Sequence, residues 1–156
     1  MSNWNRIVLK KYTDVALEFD AASAITPGML LEIDSSGDVQ PHSTADGQVA
    51  LKLFAREDDL QGNTISDAYS ASDRVFCNVA RPGDEIYALI EDGETISIGD
   101  LLVSAGDGRL KKFTEDSSGA VVVETGRIVA VALEDIDLSS DSSGETDGGR
   151  AKVIVG

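Results

Sequence analysis

One histidine, His42, and one cysteine, Cys77, are the side chains in this sequence best suited to act as a base or a nucleophile near neutral pH. A single histidine cannot form a His-paired metal site. Its neighbours Pro41 and Ser43 make His42 a turn residue, expected to face solvent rather than to serve a Ser-His-Asp or Cys-His set. Cys77 lies in the alternating run Arg74 to Ala80, on one face with Val75 and Val79. That placement predicts a small buried apolar residue, because a strand core supplies neither the positive charge nor the helix N-terminus that would activate a thiol.

The acidic, glycine-rich stretches invite a calcium reading. Neither Asp34 to Asp38 nor Asp135 to Glu145 has the Asp-x-Asp-x-Asp-Gly core of an EF-hand loop, since Asp135 and Asp137 are followed by Ser139 and Ser140. Both are better read as solvated turns, and Glu57-Asp58-Asp59 is left as a place for an adventitious cation at most. Glycine-rich phosphate loops and the Gly-x-Ser-x-Gly elbow are absent. Nothing in the spacing of the 28 acids singles out an acid/base pair. No catalytic, cofactor-binding or metal-ligating residue is assigned, no cofactor is expected, and the chain is read as a non-enzyme.

At 156 residues the chain is long enough to bury roughly two thirds of its unfolded surface in one core without metals or disulfides. Only 5% of residues are aromatic, and the apolar positions lean to Val and Ile, so thin β-branched layers are expected rather than a ring-lined pocket. The net charge of -15 disfavours nucleic acid, whose phosphates are bound through Lys and Arg. Residues 1–13 depart from this sign, holding Arg6, Lys10 and Lys11 and no acid. They lack the apolar segment and cleavage site of a signal peptide, and no run of 18 apolar residues occurs anywhere. The expectation is a soluble chain made in the cytoplasm, with no membrane partner and with residues 1–13 retained.

The elements implied by the patterning are strands joined by tight turns. Arg81 to Lys112 holds two turn-and-strand units, Pro82-Gly83-Asp84 before Ile86 to Ile90 and Gly99-Asp100 before Leu101 to Val103, and then Asp107-Gly108, which can supply the two left-handed positions of a hairpin. This turn chemistry predicts a small β-barrel. Further strands are read at Val15 to Phe19, Met29 to Ile33, Val39 to His42, Arg74 to Ala80, Val121 to Val123, Gly126 to Leu133 and Arg150 to Val155. Val49, Leu51, Leu53 and Ala55 alternate with Ala50, Lys52 and Phe54, which predicts a strand with one apolar face. Glu57 to Asp73 reads as a long polar loop with a helical turn at Asn63 to Tyr69. The predicted organisation is an extended arm, 1–13, and a single all-β domain, 14–156, with a flexible loop at about 139–149.

Gly93 to Leu102 resembles the flattened barrels of lipoyl- and biotin-carrier domains, but those present a lysine at the hairpin tip. Here the tip is Asp107-Gly108, and Lys111 and Lys112 lie beyond it. A longer series carries a second resemblance: Ile25 to Glu32, Val39 to Ser43, Ala55 to Gly62, Arg81 to Ala88, Ile98 to Leu102, Ser104 to Gly108 and Gly126 to Glu134. In this order the motifs resemble those of tailed-bacteriophage capsid decoration, or cement, proteins, over roughly residues 25–156. The resemblance implies a β-barrel or β-tulip fold and a structural role on the outer surface of the virion's head. It implies trimers at three-fold and quasi-three-fold sites, the major capsid protein as partner, and stabilisation of the shell against internal pressure.

The arm fits such a role on physical grounds. Thirteen extended residues span at most about 45 Å, and an arm can add to a neighbouring sheet through backbone hydrogen bonds. Trp4 is a candidate anchor, since aromatic residues are enriched among interface hot spots, with Arg6, Lys10 and Lys11 as companion capsid contacts. Equally, Trp4 can fold back onto its own domain. Three arms on one trimer would act at high effective concentration. Deleting residues 2–13 is expected to leave the body folded. The competing class is a β-barrel ligand- or carbohydrate-binding module using the 57–69 loop, with Tyr69 as stacking platform.

Overall fold

The computed structural model describes residues 4–11, 15–115, 126–140 and 149–156. The expected strand at 121–123 and residues 141–148 of the expected loop lie outside them, as do residues 1–3 and 12–13 of the expected arm. In chain order the strands are β1 (Val8–Lys10), β2 (Ala16–Asp20), β3 (Leu30–Ile33), β4 (Val39–Pro41), β5 (Leu53–Ala55), β6 (Arg74–Val79), β7 (Glu85–Leu89), β8 (Thr95–Ile96), β9 (Leu101–Ser104), β10 (Leu110–Lys112), β11 (Ala130–Ala132), β12 (Ile136–Asp137) and β13 (Arg150–Val155). The helical turn falls at Asp59–Gln61 rather than at 63–69, because Asp58 caps it by accepting from the Gln61 N–H and Gly62 ends it in the left-handed conformation.

One antiparallel sheet has the order β1-β7-β13-β11-β9-β10, a second has the order β2-β6-β5-β3-β4, and β12 pairs with β8 in a short ribbon. Both large sheets curl until two strands that are not neighbours in the sheet meet at one residue pair. Ala21, just past β2, bridges Val39 of β4, and Ile90, just past β7, bridges Leu110 of β10. Single parallel bridges do not make the continuous ladder that barrel closure requires. The architecture is all-β, as the turn chemistry predicts, but among the described residues neither sheet is closed into a barrel.

Two cores follow from the curl. The larger gathers Ile86, Ala88, Leu102, Ala130, Ala151, Val153 and Val155 beneath the six-stranded sheet, and the smaller gathers Ile25, Val39, Val75 and Cys77. β13 has the predicted alternation, with Ala151, Val153 and Val155 inward. β5 does not. Phe54 enters the larger core and Leu53 and Ala55 the smaller, so all three consecutive residues are buried and the strand separates two apolar layers. The expected strand from Val49 shrinks to these three, and Leu51, assigned to its apolar face, is 41% exposed.

The hairpin between β9 and β10 forms where expected, with different turn chemistry. Gly106 and Gly108, not Asp107, hold the positive φ values of 94° and 82°. Asp107 instead accepts from the Arg109 N–H through Oδ1 at 3.0 Å. The Gly-Asp corners share one device: in Arg81–Asp84 and Ser97–Asp100 the fourth residue's N–H donates to the first carbonyl at 3.0 Å in both. The Asp carboxylate then accepts from the first residue's N–H, at 3.0 and 2.8 Å. Ser70–Asp73 and Thr64–Asp67 are closed in the same way. An aspartate that caps its own turn explains why Gly-Asp punctuates the strands.

Candidate functional site

The stretch carrying the candidate contacts Trp4, Arg6, Lys10 and Lys11 runs along the edge of the six-stranded sheet. β1 pairs with β7 through Val8 with Ile86 and Lys10 with Glu85, with an irregularity between the two pairs. Ile7, which no sequence signal singles out, is the residue that enters the core, with 0% exposure. Its N–H donates to Glu57 Oε2 at 3.2 Å, and its carbonyl accepts from the Tyr87 N–H at 2.6 Å. Trp4 is 41% exposed, and the Lys152 ammonium sits 5.9 Å from its ring centroid. Arg6 faces Asp59 at 3.4 Å and Glu57 at 4.0 Å. Lys10 and Lys11 are exposed beyond it, so the structure groups Trp4 with Arg6 and leaves the two lysines apart.

Between this stretch and the 57–66 loop lies a cleft of about 620 Å³. Trp4, Asn5 and Arg6 form one wall, Glu57, Asp59 and residues 63–66 the other, and Tyr87 and Arg150 line it from the six-stranded sheet. Arg150, the first residue of β13, is buried, and its guanidinium donates to the carbonyls of Pro27 at 3.0 Å and Ile65 at 2.6 Å. This approach needs Gly28: at its φ of 96°, a Cβ would lie 3.0 Å from the Tyr87 carbonyl and 3.4 Å from Arg150 Nε. Burial, with the Glu134 carboxylate nearby, pushes the Tyr87 phenol above its usual range against the opposing charge of Arg150. A second hollow, of about 310 Å³, shares Trp4, Asn5 and Arg6 with the cleft and is otherwise lined by Val8, Leu9, Glu85 and Lys152.

The residues first considered for chemistry lie elsewhere. His42 is not a solvent-facing turn residue: it is 5% exposed, with Nδ1 2.7 Å from Ser104 Oγ and Nε2 3.8 Å from Glu32 Oε2. Burial tends to raise the Glu32 carboxyl's pKa, but hydrogen bonds from Ser43 and Gln40 and the charge of His42 hold it below its ordinary value. Ser104 is fully buried and also accepts from the Gly106 N–H at 3.2 Å, so the His42 pair ties the two large sheets together rather than meeting a substrate. Cys77 is buried as expected, and burial pushes its thiol up to about 12. Tyr69 cannot be a stacking platform, since it is 6% exposed and its hydroxyl donates to the Arg56 carbonyl at 2.7 Å. Among the described residues no three His, Cys, Asp or Glu side chains are grouped to hold a metal ion. No helix among them is long and apolar enough to cross a membrane.

The cleft is drawn from segments 4–6, 57–66, Tyr87 and Arg150, which no local motif links. Its one signal in the sequence is an isolated tryptophan in a polar stretch.

Neither a protein-family model nor a curated protein sequence matches the chain. The fold defines a class, small all-β domains of curled, open antiparallel sheets. A solved structure with this fold is the N base of head fiber gp8.5 from bacteriophage phi29. It is similar to this chain with a TM-score of 0.55, over 92% of this chain and 95% of that one, at 14% identity. At that identity the likeness is one of fold.

Proposed function

We propose that this chain is a structural protein of a bacteriophage head, a decoration or cement protein bound to the outer surface of the capsid. The observation that carries the reading is the fold likeness to a phage head fiber base, which extends over nearly the whole of both chains. The ordered series of turn motifs that resembles capsid decoration proteins supports it independently. In this reading the protein is not an enzyme. It assembles as trimers at three-fold and quasi-three-fold positions and stiffens the shell against the pressure of the packaged genome. Its partner is the major capsid protein, met through the basic edge formed by Trp4, Arg6, Lys10 and Lys11.

Sedimentation of purified phage heads mixed with the protein tests the proposal. Saturable, stoichiometric co-sedimentation, and heads that keep their DNA to higher temperature when coated, are the expected outcomes. Failure to associate with heads, together with absence from purified virions, would overturn it. Light scattering on free and head-bound protein tests the trimer. Charge reversal of Arg6, Lys10 and Lys11 should weaken attachment while leaving the fold intact.

A further inference from the structure

We propose that the cleft between the N-terminal stretch and the 57–66 loop is a binding site for a short neutral oligosaccharide, a role additional to head attachment. Its volume of about 620 Å³ falls within the range of small-molecule sites, about 300–1,000 Å³. The lining combines two kinds of group that sugar rings need. Trp4 offers a partly exposed indole to the C–H face of a pyranose, an apolar surface with a polar rim. The Lys152 ammonium, 5.9 Å from the ring centroid, lines the second hollow and not the cleft, so it does not take up the space offered to a ligand.

The same cleft is lined by Asn5, Asn63 and Ser66, three exposed residues with side-chain amides and a hydroxyl. An amide presents a donor and an acceptor together, the pattern that matches a sugar hydroxyl. Among the described residues the amides of Asn5 and Asn63 enter no intramolecular hydrogen bond, so they are available to a ligand.

Charge selects the class of sugar. The chain carries -15 overall, yet the cleft is balanced, with Arg6 and Arg150 against Glu57 and Asp59. Arg6 already faces both carboxylates, and Arg150 is buried against the carbonyls of Pro27 and Ile65. An acidic sugar would compete for arginines that are already engaged, and a cationic ligand would meet them as repulsion. A neutral, hydroxyl-rich ligand suffers neither. The walls are set in advance: Glu57 by the Ile7 N–H, and the 63–66 segment by the Thr64–Asp67 turn and Arg150. Pre-formed walls reduce the ordering cost of binding.

Trp4 is the only tryptophan, so its fluorescence reports on the surroundings of this one indole, of which the cleft is part. The full chain would be titrated with neutral oligomers of glucose, N-acetylglucosamine, galactose and rhamnose, and with oligogalacturonate and sialyllactose as acidic counterparts. A saturable emission change with at least one neutral oligomer is expected. By calorimetry, Trp4→Ala should abolish that binding and Asn63→Ala weaken it about tenfold or more, the loss expected for a good polar contact. Both positions are exposed enough to leave the melting temperature unchanged, which is checked in parallel. No saturable response to any neutral oligomer, a response confined to the acidic sugars, or undiminished binding by Trp4→Ala would each overturn the proposal. Head co-sedimentation of Asn63→Ala is read separately, since Asn63 lies outside the proposed capsid contact, so weakened sugar binding with normal attachment distinguishes the two sites.

Discussion

The backbone N–H of Ile7 donates to Glu57 Oε2 across 3.2 Å, joining two buried residues fifty positions apart. Through this bond the N-terminal stretch and the wall of the cleft share one support. The Ile7 side chain, wholly inside the larger core, supplies the packing that holds it. Ile7→Ala should therefore destabilise the fold by about 2–5 kcal/mol, the usual cost of emptying a buried aliphatic site. Removal of the residues before Arg6 should cost far less. Thermal melts of the two variants check the contrast, and an unchanged melting temperature for Ile7→Ala would show that the stretch is undocked in solution. The same contact bears on the 2–13 deletion, which takes the buried Ile7 out of the core along with the proposed capsid contacts, so it is expected to destabilise the body rather than leave it unaffected.

Local chemistry made much of the fold legible. The Gly-Asp corners are readable because each turn is closed by its own aspartate, and β13 because its inward face alternates cleanly. β5 was not readable as built, since Leu53, Phe54 and Ala55 are all buried between two cores and period-two alternation assumes only one. The burial of His42 is hidden from its local sequence for a related reason. Its turn-like flanks are local, whereas its partner Ser104 lies 62 residues away. Of the candidate contacts, Trp4 and Arg6 do lie together, but the cleft they border depends on Tyr87 and Arg150, whose approach is set by sheet packing that no spacing encodes.

Ser72 occupies a position that glycine fills in the two Gly-Asp corners. In the Asp-closed turns ending at Asp84 and Asp100 the third residue is Gly83 or Gly99, at φ 97° and 91°, and in the turn ending at Asp73 it is Ser72 at φ 73°. A side chain in the left-handed region costs about 1 kcal/mol, partly offset by glycine's freedom in the unfolded chain. Ser72→Gly should then stabilise the protein by on the order of 0.5–1 kcal/mol, raising the melting temperature by about 1–4 °C. Scanning calorimetry measures it. A lower melting temperature would mean that the serine hydroxyl holds the turn more strongly than its backbone strains it.

Asn78 faces Phe54 in register on β5 and is fully buried, with neither amide atom hydrogen-bonded. A buried amide without partners costs about 1–3 kcal/mol relative to one that is satisfied. Asn78→Val, which suits a strand and has no polar atoms to satisfy, is expected to raise the urea midpoint at an unchanged m-value, a gain of about 1 kcal/mol or more. A fall in the midpoint would reveal a water or side-chain partner for the amide in solution.

Cys77 sets an alkaline limit on stability. Burial raises its thiol from an ordinary value of 9.0 to about 12, so the folded state favours the protonated form. The sign follows directly. A group whose pKa is higher folded than unfolded contributes fully below pH 9, and that contribution is lost as pH climbs from 9 toward 12. Tyr69 adds to the loss at still higher pH, because burial raises its phenol above the ordinary 10.0. Stability measured by urea denaturation should hold steady to about pH 9 and decline beyond it, and Cys77→Ala should remove the part of the decline that begins first. Because the thiolate is the reactive form, a disulfide reagent at pH 8 should label Cys77 only as fast as the protein unfolds. Rapid labelling of the native protein would show that the smaller core opens far more readily than its packing implies.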